Sequence, residues 1–177
     1  MRLFAGIFPP PEAVVHLSTV VGQLGLTKRV IPAERWHITL AFVADGDSGA
    51  ALAAMEEVSV PLGRLRVSGG GHFGPILWAG IAGDVDGLTR LSRAIRREMR
   101  ARRLDTDDKR FRPHLTIARS PAAAQLLRDY EGPMWTPIEM VLIHSEMGPQ
   151  PIYHRLGTFA LPGPGLGSGA TAADGRE

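Results

Sequence analysis

The sequence predicts an α+β protein with antiparallel sheets, built as two similar half-domains that face each other across a cleft. Segments with the two-residue period of strands are mixed with helical segments but do not alternate strictly with them, which disfavours a parallel sheet. Two short segments far apart in the chain share one pattern, which indicates internal pseudo-symmetry. A chain of 177 residues with 44% hydrophobic residues can bury a core. We expect a single bilobal domain over residues 1–161.

Composition removes several classes of protein. The chain contains no cysteine, which excludes disulfide scaffolds, zinc ribbons, iron–sulfur clusters and cysteine nucleophiles. This fits a reducing compartment, and we expect a cytoplasmic protein. No apolar run approaches the roughly 20 residues of a membrane span, so no membrane is expected as a partner. The opening Met1–Phe8 lacks a small-residue cleavage site and is followed by three prolines, so it is interpreted as a strand rather than a signal peptide.

The first half of the chain predicts two strands, each followed by a helix. Arg2–Phe8 forms the first strand, and prolines 9–11 open a helix, where proline is tolerated in the first turn. That helix has an apolar stripe at helical spacing, formed by Val14, Val15, Leu17, Val21 and Leu24. Glu34–Val43 alternates apolar and polar residues and predicts the second strand. Ser48–Val58 predicts the second helix, with Ser48 as its N-cap.

The second half begins with a predicted pair of strands, Leu62–Val67 and Ile76–Ile81, on either side of the turn-rich segment Ser68–Pro75. Asp86–Arg103 is the clearest helix, because Leu88, Leu91, Ile95 and Met99 recur at intervals of three and four. Arg110–Arg119 is the strand that follows this helix.

The chain closes with a short helix and two strands. The helix is predicted over Ala122–Asp129, and the strands over Ile138–Glu146 and Ile152–Leu161. From Pro162 to Glu177 the chain consists mainly of glycine, proline, alanine and serine, which predicts a disordered tail.

The repeated pattern is His, apolar, Thr, apolar, Ala. It occurs at His37–Ala41 and again at His114–Ala118. Because side chains alternate along a strand, each histidine shares a face with its own threonine, Thr39 or Thr116. One such segment alone would be interpreted as a half-buried strand with ordinary solvent-facing residues. The repetition favours a shared site, since two matching strands in facing half-domains would bring two histidines and two hydroxyls into one cleft.

Two histidines suit displacement at a phosphodiester. The reaction needs a base to activate the attacking oxygen and an acid to protonate the leaving oxygen, and histidine performs either role near neutral pH. Threonine hydroxyls can donate hydrogen bonds to the nonbridging oxygens, and an arginine can stabilise the charge that builds in the transition state.

Paired histidines also occur at metal sites. Such a site requires carboxylates or further histidines at ligand spacing, and none is present. Glycines 69–71 lack the lysine and the helix start of a phosphate-binding loop. The sequence therefore predicts catalysis without a metal and without a cofactor.

The tandem motifs HITLAF and HLTIAR resemble those of the 2H phosphoesterase superfamily, and in particular its RNA 2′,3′-cyclic phosphodiesterases, also called 2′-5′ RNA ligases. The resemblance extends to about Leu161 and includes the segments MRLFAGIFPP, ILWAGI, RFRPHLTIAR and LIHSEMGPQPIYHRLGTFAL. It implies the bilobal 2H fold with helices on the outside of the sheets. It also implies hydrolysis of a terminal RNA 2′,3′-cyclic phosphate to a 2′-phosphomonoester.

The resemblance also implies roles for individual residues. His37 would be the general acid on the leaving ribose O3′, and His114 the general base on water. Thr39 and Thr116 would bind the phosphate. The family's extended motifs end in Phe and Arg, so Phe42 would stack on the terminal base and Arg119 would hold the phosphate. Strict alternation would turn Phe42 and Arg119 away from the histidines, so each strand must bulge or end after its motif.

Alternatives to hydrolysis remain open. The same site could perform 2′-5′ ligation or cleave other cyclic or 2′,5′-linked nucleotides, and a non-catalytic RNA-binding module is a further possibility. The helix Asp86–Arg103 carries Arg93, Arg96, Arg97 and Arg100 on the face opposite its apolar stripe. This face is interpreted either as a phosphate-binding surface or as an ordinary solvated one. The expected partner is an RNA end with a 2′,3′-cyclic phosphate, bound by a monomer.

Overall fold

The computed structural model describes residues 1–26, 29–120 and 124–165. In chain order the elements of this part are β1 (Leu3–Ile7), α1 (Pro11–Gln23), β2 (Ile38–Val43), α2 (Ser48–Glu56), β3 (Leu65–Phe73), β4 (Ile76–Gly83), α3 (Val85–Ala101), β5 (His114–Ala118), β6 (Glu139–Glu146) and β7 (Ile152–Ala160). Two 3₁₀ turns, Ala33–Arg35 and Ala124–Leu127, complete them.

The strands form two antiparallel sheets. One has four strands in the order β2-β1-β6-β7, and the other has three in the order β3-β4-β5. Helices α2 and α3 pack on the four-stranded sheet, α1 packs against β3, and β2 contacts β5 where the two sheets meet. The predicted α+β class with antiparallel sheets is confirmed, and each of the two motif strands belongs to a different sheet.

Helix α3 shows how the sequence sets an element's bounds. The Asp84 carboxylate accepts a hydrogen bond from the Gly87 N–H at 2.8 Å and caps the first turn. The predicted apolar stripe is fully buried. At α2 the predicted N-cap is wrong by one residue. Asp47, not Ser48, accepts the Ala50 N–H at 2.7 Å, since aspartate is as strong a capping residue as serine.

Several strand boundaries also differ from the prediction, and β5 covers only His114–Ala118 rather than Arg110–Arg119. Residues 33–35 form a 3₁₀ turn, so β2 begins only at Ile38. Strand β3 continues through the glycine-rich segment that predicted a turn. There Gly71 pairs with Trp78, and a Cβ at Gly71 would lie 2.7 Å from the Trp78 ring. Glycine at this position leaves room for a cross-strand indole, which sequence patterning alone interprets as a loop.

The last predicted helix and the tail are only partly described. Residues 122 and 123 of the helix predicted over Ala122–Asp129 lie outside the described residues, and 124–127 form a 3₁₀ turn. Residues 166–177 of the predicted tail also lie outside. Leu161 is buried, and the Pro162 carbonyl accepts a hydrogen bond from the Leu62 N–H at 3.4 Å. No helix in the described part of the chain is long and apolar enough to cross a membrane.

Candidate active site at the two histidine motifs

Both motif strands contain a β-bulge at the same place in the motif. In the first, Ala5 pairs with Ala41 and Gly6 pairs with Thr39, so Leu40 is an extra residue without a cross-strand partner. In the second, Thr116 pairs with Trp78 while Ala118 pairs with Leu77, which leaves Ile117 as the extra residue. The sequence argument required each strand to bulge or end after its motif, and a bulge is present in both halves.

Hydrogen bonds from outside each strand pair satisfy the bulged carbonyls. The Leu40 carbonyl accepts from the buried Ser92 hydroxyl of α3 at 2.6 Å. The Ile117 carbonyl accepts from the Ile31 N–H at 2.8 Å. A buried carbonyl without a partner costs free energy, so these bonds stabilise the bulge in each half of the molecule.

The bulges decide which residues share a face with each histidine. Leu40 and Ala41 are both fully buried, as are Ile117 and Ala118, so each motif directs two successive side chains into the core. The following residue returns to the face of the histidine. Phe42 and Arg119 therefore share a face with His37 and His114, respectively, which strict alternation forbids.

Both histidines are held in the same tautomer. His37 Nδ1 donates to the Arg35 carbonyl at 2.7 Å, and His114 Nδ1 donates to the Arg112 carbonyl at 2.6 Å. A carbonyl only accepts, so the proton of the neutral imidazole lies on Nδ1 in both rings. Nε2 is then the nitrogen available for proton transfer in each half.

The His37 ring is enclosed by three aromatic side chains. Phe4 stacks on it at 4.4 Å between ring centroids, Phe8 lies at 5.4 Å, and Tyr153 approaches edge-on at 5.6 Å. A Cβ at Gly6, between the two phenylalanines, would lie 3.5 Å from His37 Cδ2. That is an ordinary contact, and the close approach at this position of β1 is to the Ile38 carbonyl oxygen, at 2.9 Å from such a Cβ.

This enclosure lowers the pKa of His37 to about 4. Burial of the ring is the largest cause, because the charged form loses its hydration. The hydrogen bond to the Arg35 carbonyl raises the pKa, while the charges of His114 and Arg35 lower it. His37 is therefore neutral at pH 7 in the free protein, and the charge of one motif histidine acts on the other.

His114 has a more open aromatic surround. Phe73 lies edge-on at 5.6 Å and Trp78 at 6.5 Å. The edge-on contact of Phe73 with His114 has the same interplanar angle, 81°, as the contact of Tyr153 with His37. No aromatic ring among the described residues stacks face to face on His114, whereas Phe4 does so on His37.

Sequence reasoning missed a second repeat beside the motifs. Arginine stands two residues before each histidine, at Arg35 and Arg112. The Arg35 guanidinium lies over Tyr153 at 5.0 Å, and that of Arg112 lies over Phe73 at 6.0 Å. Each arginine thus supplies the carbonyl that orients the histidine and covers the aromatic ring beside it. The signal was present in the sequence as Arg-x-His-x-Thr in both motifs.

One cavity joins the two halves. It has a volume of about 400 Å³, and its lining includes Thr39 from the first motif and His114 from the second. Phe73, Arg110 and Arg112 line it as well. Thr116 lies on the His114 face by its register with Trp78. The structure thus brings Thr39 and His114 to one cavity, whereas the other four predicted site residues, His37, Thr116, Phe42 and Arg119, are not among its lining residues.

The two residues that end the motifs differ in their surroundings. Arg119 is exposed and its backbone N–H donates to the Arg29 carbonyl at 2.9 Å, while its guanidinium makes no hydrogen bond or ion pair within the described part of the chain. Phe42 is half-buried, packs with Phe4, and lies under the Arg2 guanidinium at 4.8 Å. Among the described residues Arg119 thus has no competing carboxylate, whereas Phe42 is part of an apolar cluster.

The described residues contain no group of three or more His, Cys, Asp or Glu side chains arranged to hold a metal ion. The charged and polar groups that line the cleft are mainly hydrogen-bond donors, together with the His114 imidazole.

Comparisons with known proteins agree with this geometry. The family model of the 2′-5′ RNA ligase superfamily matches residues 9–144. An RNA 2′,3′-cyclic phosphodiesterase of Thermus thermophilus is 32% identical over 92% of this chain and 91% of its own. Another from Geobacillus stearothermophilus is 30% identical over 73% of this chain and 46% of its own.

Solved structures share the fold. A crystal structure of a Thermus thermophilus protein superposes with a TM-score of 0.71 at 27% identity and covers 92% of this chain and 99% of that chain. LigT of E. coli in its apo form superposes with a TM-score of 0.78 at 21% identity. The match covers 90% of this chain and 96% of the LigT chain. With the family model matching most of its length and two histidine motifs built alike, this chain belongs to the 2′-5′ RNA ligase superfamily of 2H phosphoesterases.

Proposed function

We propose that this protein hydrolyses the 2′,3′-cyclic phosphate at the end of an RNA strand to a 2′-phosphomonoester. The observation that carries the proposal is the pair of histidines with Nδ1 bound to backbone carbonyls and Nε2 left for proton transfer. The names of the relatives from Thermus thermophilus and Geobacillus stearothermophilus support this activity. A monomeric state and a cytoplasmic location belong to the same proposal.

In the proposed reaction His114 Nε2 takes a proton from water as the water oxygen attacks phosphorus. The bond between phosphorus and O3′ breaks, and O3′ takes a proton from His37 Nε2. Thr39 and Thr116 donate hydrogen bonds to the nonbridging oxygens, Arg119 balances their charge, and Phe42 stacks on the terminal base. Proton exchange with solvent then returns both histidines to their starting states.

The general acid must gain its proton with the substrate. His37 has a pKa of about 4 in the free protein, so it is neutral at pH 7 before the phosphate arrives. A phosphodiester carries one negative charge, and at about 4 Å with an effective dielectric near 20 an ion pair is worth about 4 kcal/mol. That energy corresponds to about three pKa units, which is enough to return the pKa of His37 to the neutral range.

The test is product analysis on a short RNA ending in a 2′,3′-cyclic phosphate. We expect the mass to increase by one water and the product to co-elute with the 2′-phosphate standard, with and without a chelator. The His37→Ala/His114→Ala double variant, purified in parallel, controls for host nucleases. A 3′-phosphate product, or loss of turnover when metal is removed, would contradict the mechanism.

Ligation is a second candidate, because the matching family model describes 2′-5′ RNA ligases. It uses the same displacement with a 5′-hydroxyl RNA in place of water, so that the 5′-oxygen attacks phosphorus, O3′ leaves, and a 2′-5′ linkage forms. Incubating the cyclic-phosphate RNA with a 5′-hydroxyl strand and measuring joined and hydrolysed products separates the two reactions. Retained RNA binding without either product would instead identify a non-catalytic RNA-binding module.

A further inference from the structure

A second cavity lies beside the cleft along helix α3. It has a volume of about 690 Å³, and we call it the arginine groove. Its basic lining consists of Arg93, Arg96, Arg97, Arg100, Lys109 and Arg110. A single carboxylate, that of Asp108, also lines it. The net charge of the whole chain is only +2, so positive charge is concentrated in this groove.

The groove adjoins the cleft through one segment. Arg96, Lys109, Arg110 and Phe111 line both the groove and the cavity that contains Thr39 and His114. An RNA strand whose end lies in the cleft would therefore meet basic side chains directly beyond the cleft.

Some of these side chains have structural roles and others do not. The Arg96 guanidinium donates to the carbonyls of Asp107 and Lys109 at 3.1 and 2.9 Å, which fixes this loop to the helix. Arg100 pairs with Asp108 at 2.6 Å. Within the described residues, the side chains of Arg93, Lys109 and Arg110 make no hydrogen bond or ion pair.

Arg97 contacts a carboxylate, but only weakly. It pairs with Glu98 at 3.2 Å while its side chain is 75% exposed. Exposed pairs contribute little, so Arg97 can exchange this carboxylate for a phosphate. Arg93 and Arg97 lie one turn apart on α3, and Arg93 and Arg100 are about 10 Å apart along the axis at 1.5 Å per residue. The free and weakly paired arginines are thus spread along the helix axis rather than clustered at one position.

We propose that the arginine groove binds the single-stranded RNA on the 5′ side of the reacting terminus. Lines of arginine and lysine that track a phosphate backbone, with an aromatic side chain among them, are typical of single-strand binding surfaces. Half-buried Phe111 supplies that aromatic residue where the two cavities adjoin. The inference rests on the proposed function, and it makes an RNA chain, rather than an isolated cyclic nucleotide, the preferred substrate.

The experiment compares a nucleoside 2′,3′-cyclic phosphate with a ten-nucleotide RNA that has the same terminus. The test variant is Arg93→Ala/Arg97→Ala, which removes two groove charges and keeps a good helix former. The control is Arg64→Ala/Arg128→Ala, which removes two charges at exposed positions outside the groove lining.

We expect the test variant to raise KM for the RNA about tenfold and to leave kcat/KM for the nucleoside unchanged, while the control changes neither. The Kd of the test variant for a labelled ten-nucleotide RNA ending in a 2′-phosphate should rise likewise. The slope of log Kd against log salt concentration should fall by about 0.7 per lost phosphate contact.

Two results would contradict the proposal that the groove binds RNA. One is an equal loss on nucleoside and RNA substrates, and the other is an unchanged RNA Kd and salt slope in the test variant. A wild-type protein that cleaves neither substrate would refute the proposed function, but the labelled-RNA binding and its salt slope would still decide whether the groove binds RNA.

Discussion

The two halves of the cleft have the same backbone but different surroundings for their histidines. In both, a bulge follows the threonine, and the histidine Nδ1 donates to the carbonyl two residues earlier. An aromatic ring lies edge-on at 5.6 Å in both. Only His37 is additionally stacked, by Phe4 at 4.4 Å, among the residues that the structure describes.

This difference shows how two histidines on a repeated backbone come to have different properties. The repeated backbone supplies two equivalent nitrogens, and the packing around each ring differs. Enclosure by Phe4, Phe8 and Tyr153 disfavours protonation of His37 in the free protein. Packing around the motif, rather than the motif itself, therefore distinguishes the two histidines.

The largest expected effect tests whether both halves act in one reaction. Replacing His37 or His114 with alanine removes one proton-transfer group, and each group is worth about 10²–10⁴ in rate. We expect kcat on a cyclic-phosphate RNA to fall by at least about 10² in each single variant, measured by quantifying the 2′-phosphate product.

The double variant gives the control for this prediction. Groups that act in a single step are not additive, so the double variant should be little worse than the poorer single one. Circular dichroism should show an unchanged fold in all three. A single variant with wild-type kcat would remove its histidine from the reaction and with it the symmetric mechanism.

A medium effect should appear in the pH dependence of stability. The pKa of His37 is about 4 in the folded protein and ordinary, near 6.5, in the unfolded chain. The unfolded chain thus binds this proton first as the pH falls, and stability is lost between about pH 6.5 and pH 4. The loss from pH 7 to pH 4.5 should be about 2–3 kcal/mol, measured by urea unfolding.

The variant His37→Gln isolates this contribution from that of the carboxylates. Its stability should decline less steeply over the same pH range, by about the same 2–3 kcal/mol. NMR titration should place the pKa of His37 near 4 in the free protein and higher with a 2′-phosphate nucleotide bound. An unshifted pKa in the complex would contradict His37 as the acid.

The smallest effect compares two glycines beside the histidines, Gly6 opposite Thr39 and Gly80 opposite His114. A Cβ at Gly6 would lie 2.9 Å from the Ile38 carbonyl oxygen and 3.5 Å from the His37 ring, whereas one at Gly80 would lie 2.5 Å from the Ser68 carbonyl oxygen. We expect Gly6→Ala to lower kcat and Gly80→Ala to cost mainly stability, about 1–3 kcal/mol each in unfolding free energy.

Kinetic and urea-unfolding measurements on both variants check this prediction. If both glycine variants lose activity only in proportion to the protein that unfolds, then Gly6 has no specific role beside His37.

Much of the fold was predictable because its signals are local. The stripe of α3 and the alternation of β2 follow from periodicity, and the HITLAF and HLTIAR repeats identified both histidines. The predictions failed where two local interpretations compete and the sequence pattern does not decide between them. Asp47 and Ser48 are both good caps, and the glycines of β3 are strand residues only because Trp78 packs across them.

The sequence by itself determined which residue types could act, two histidines and two threonines at strand spacing in a chain without cysteine. It also required each strand to bulge or end before Phe42 and Arg119 could reach the cleft. Only the tertiary structure decided how the bulges are stabilised, because Ser92 and Ile31 come from distant parts of the chain. It likewise decided that His37 and not His114 is stacked on a phenylalanine, because solvation depends on neighbours in space.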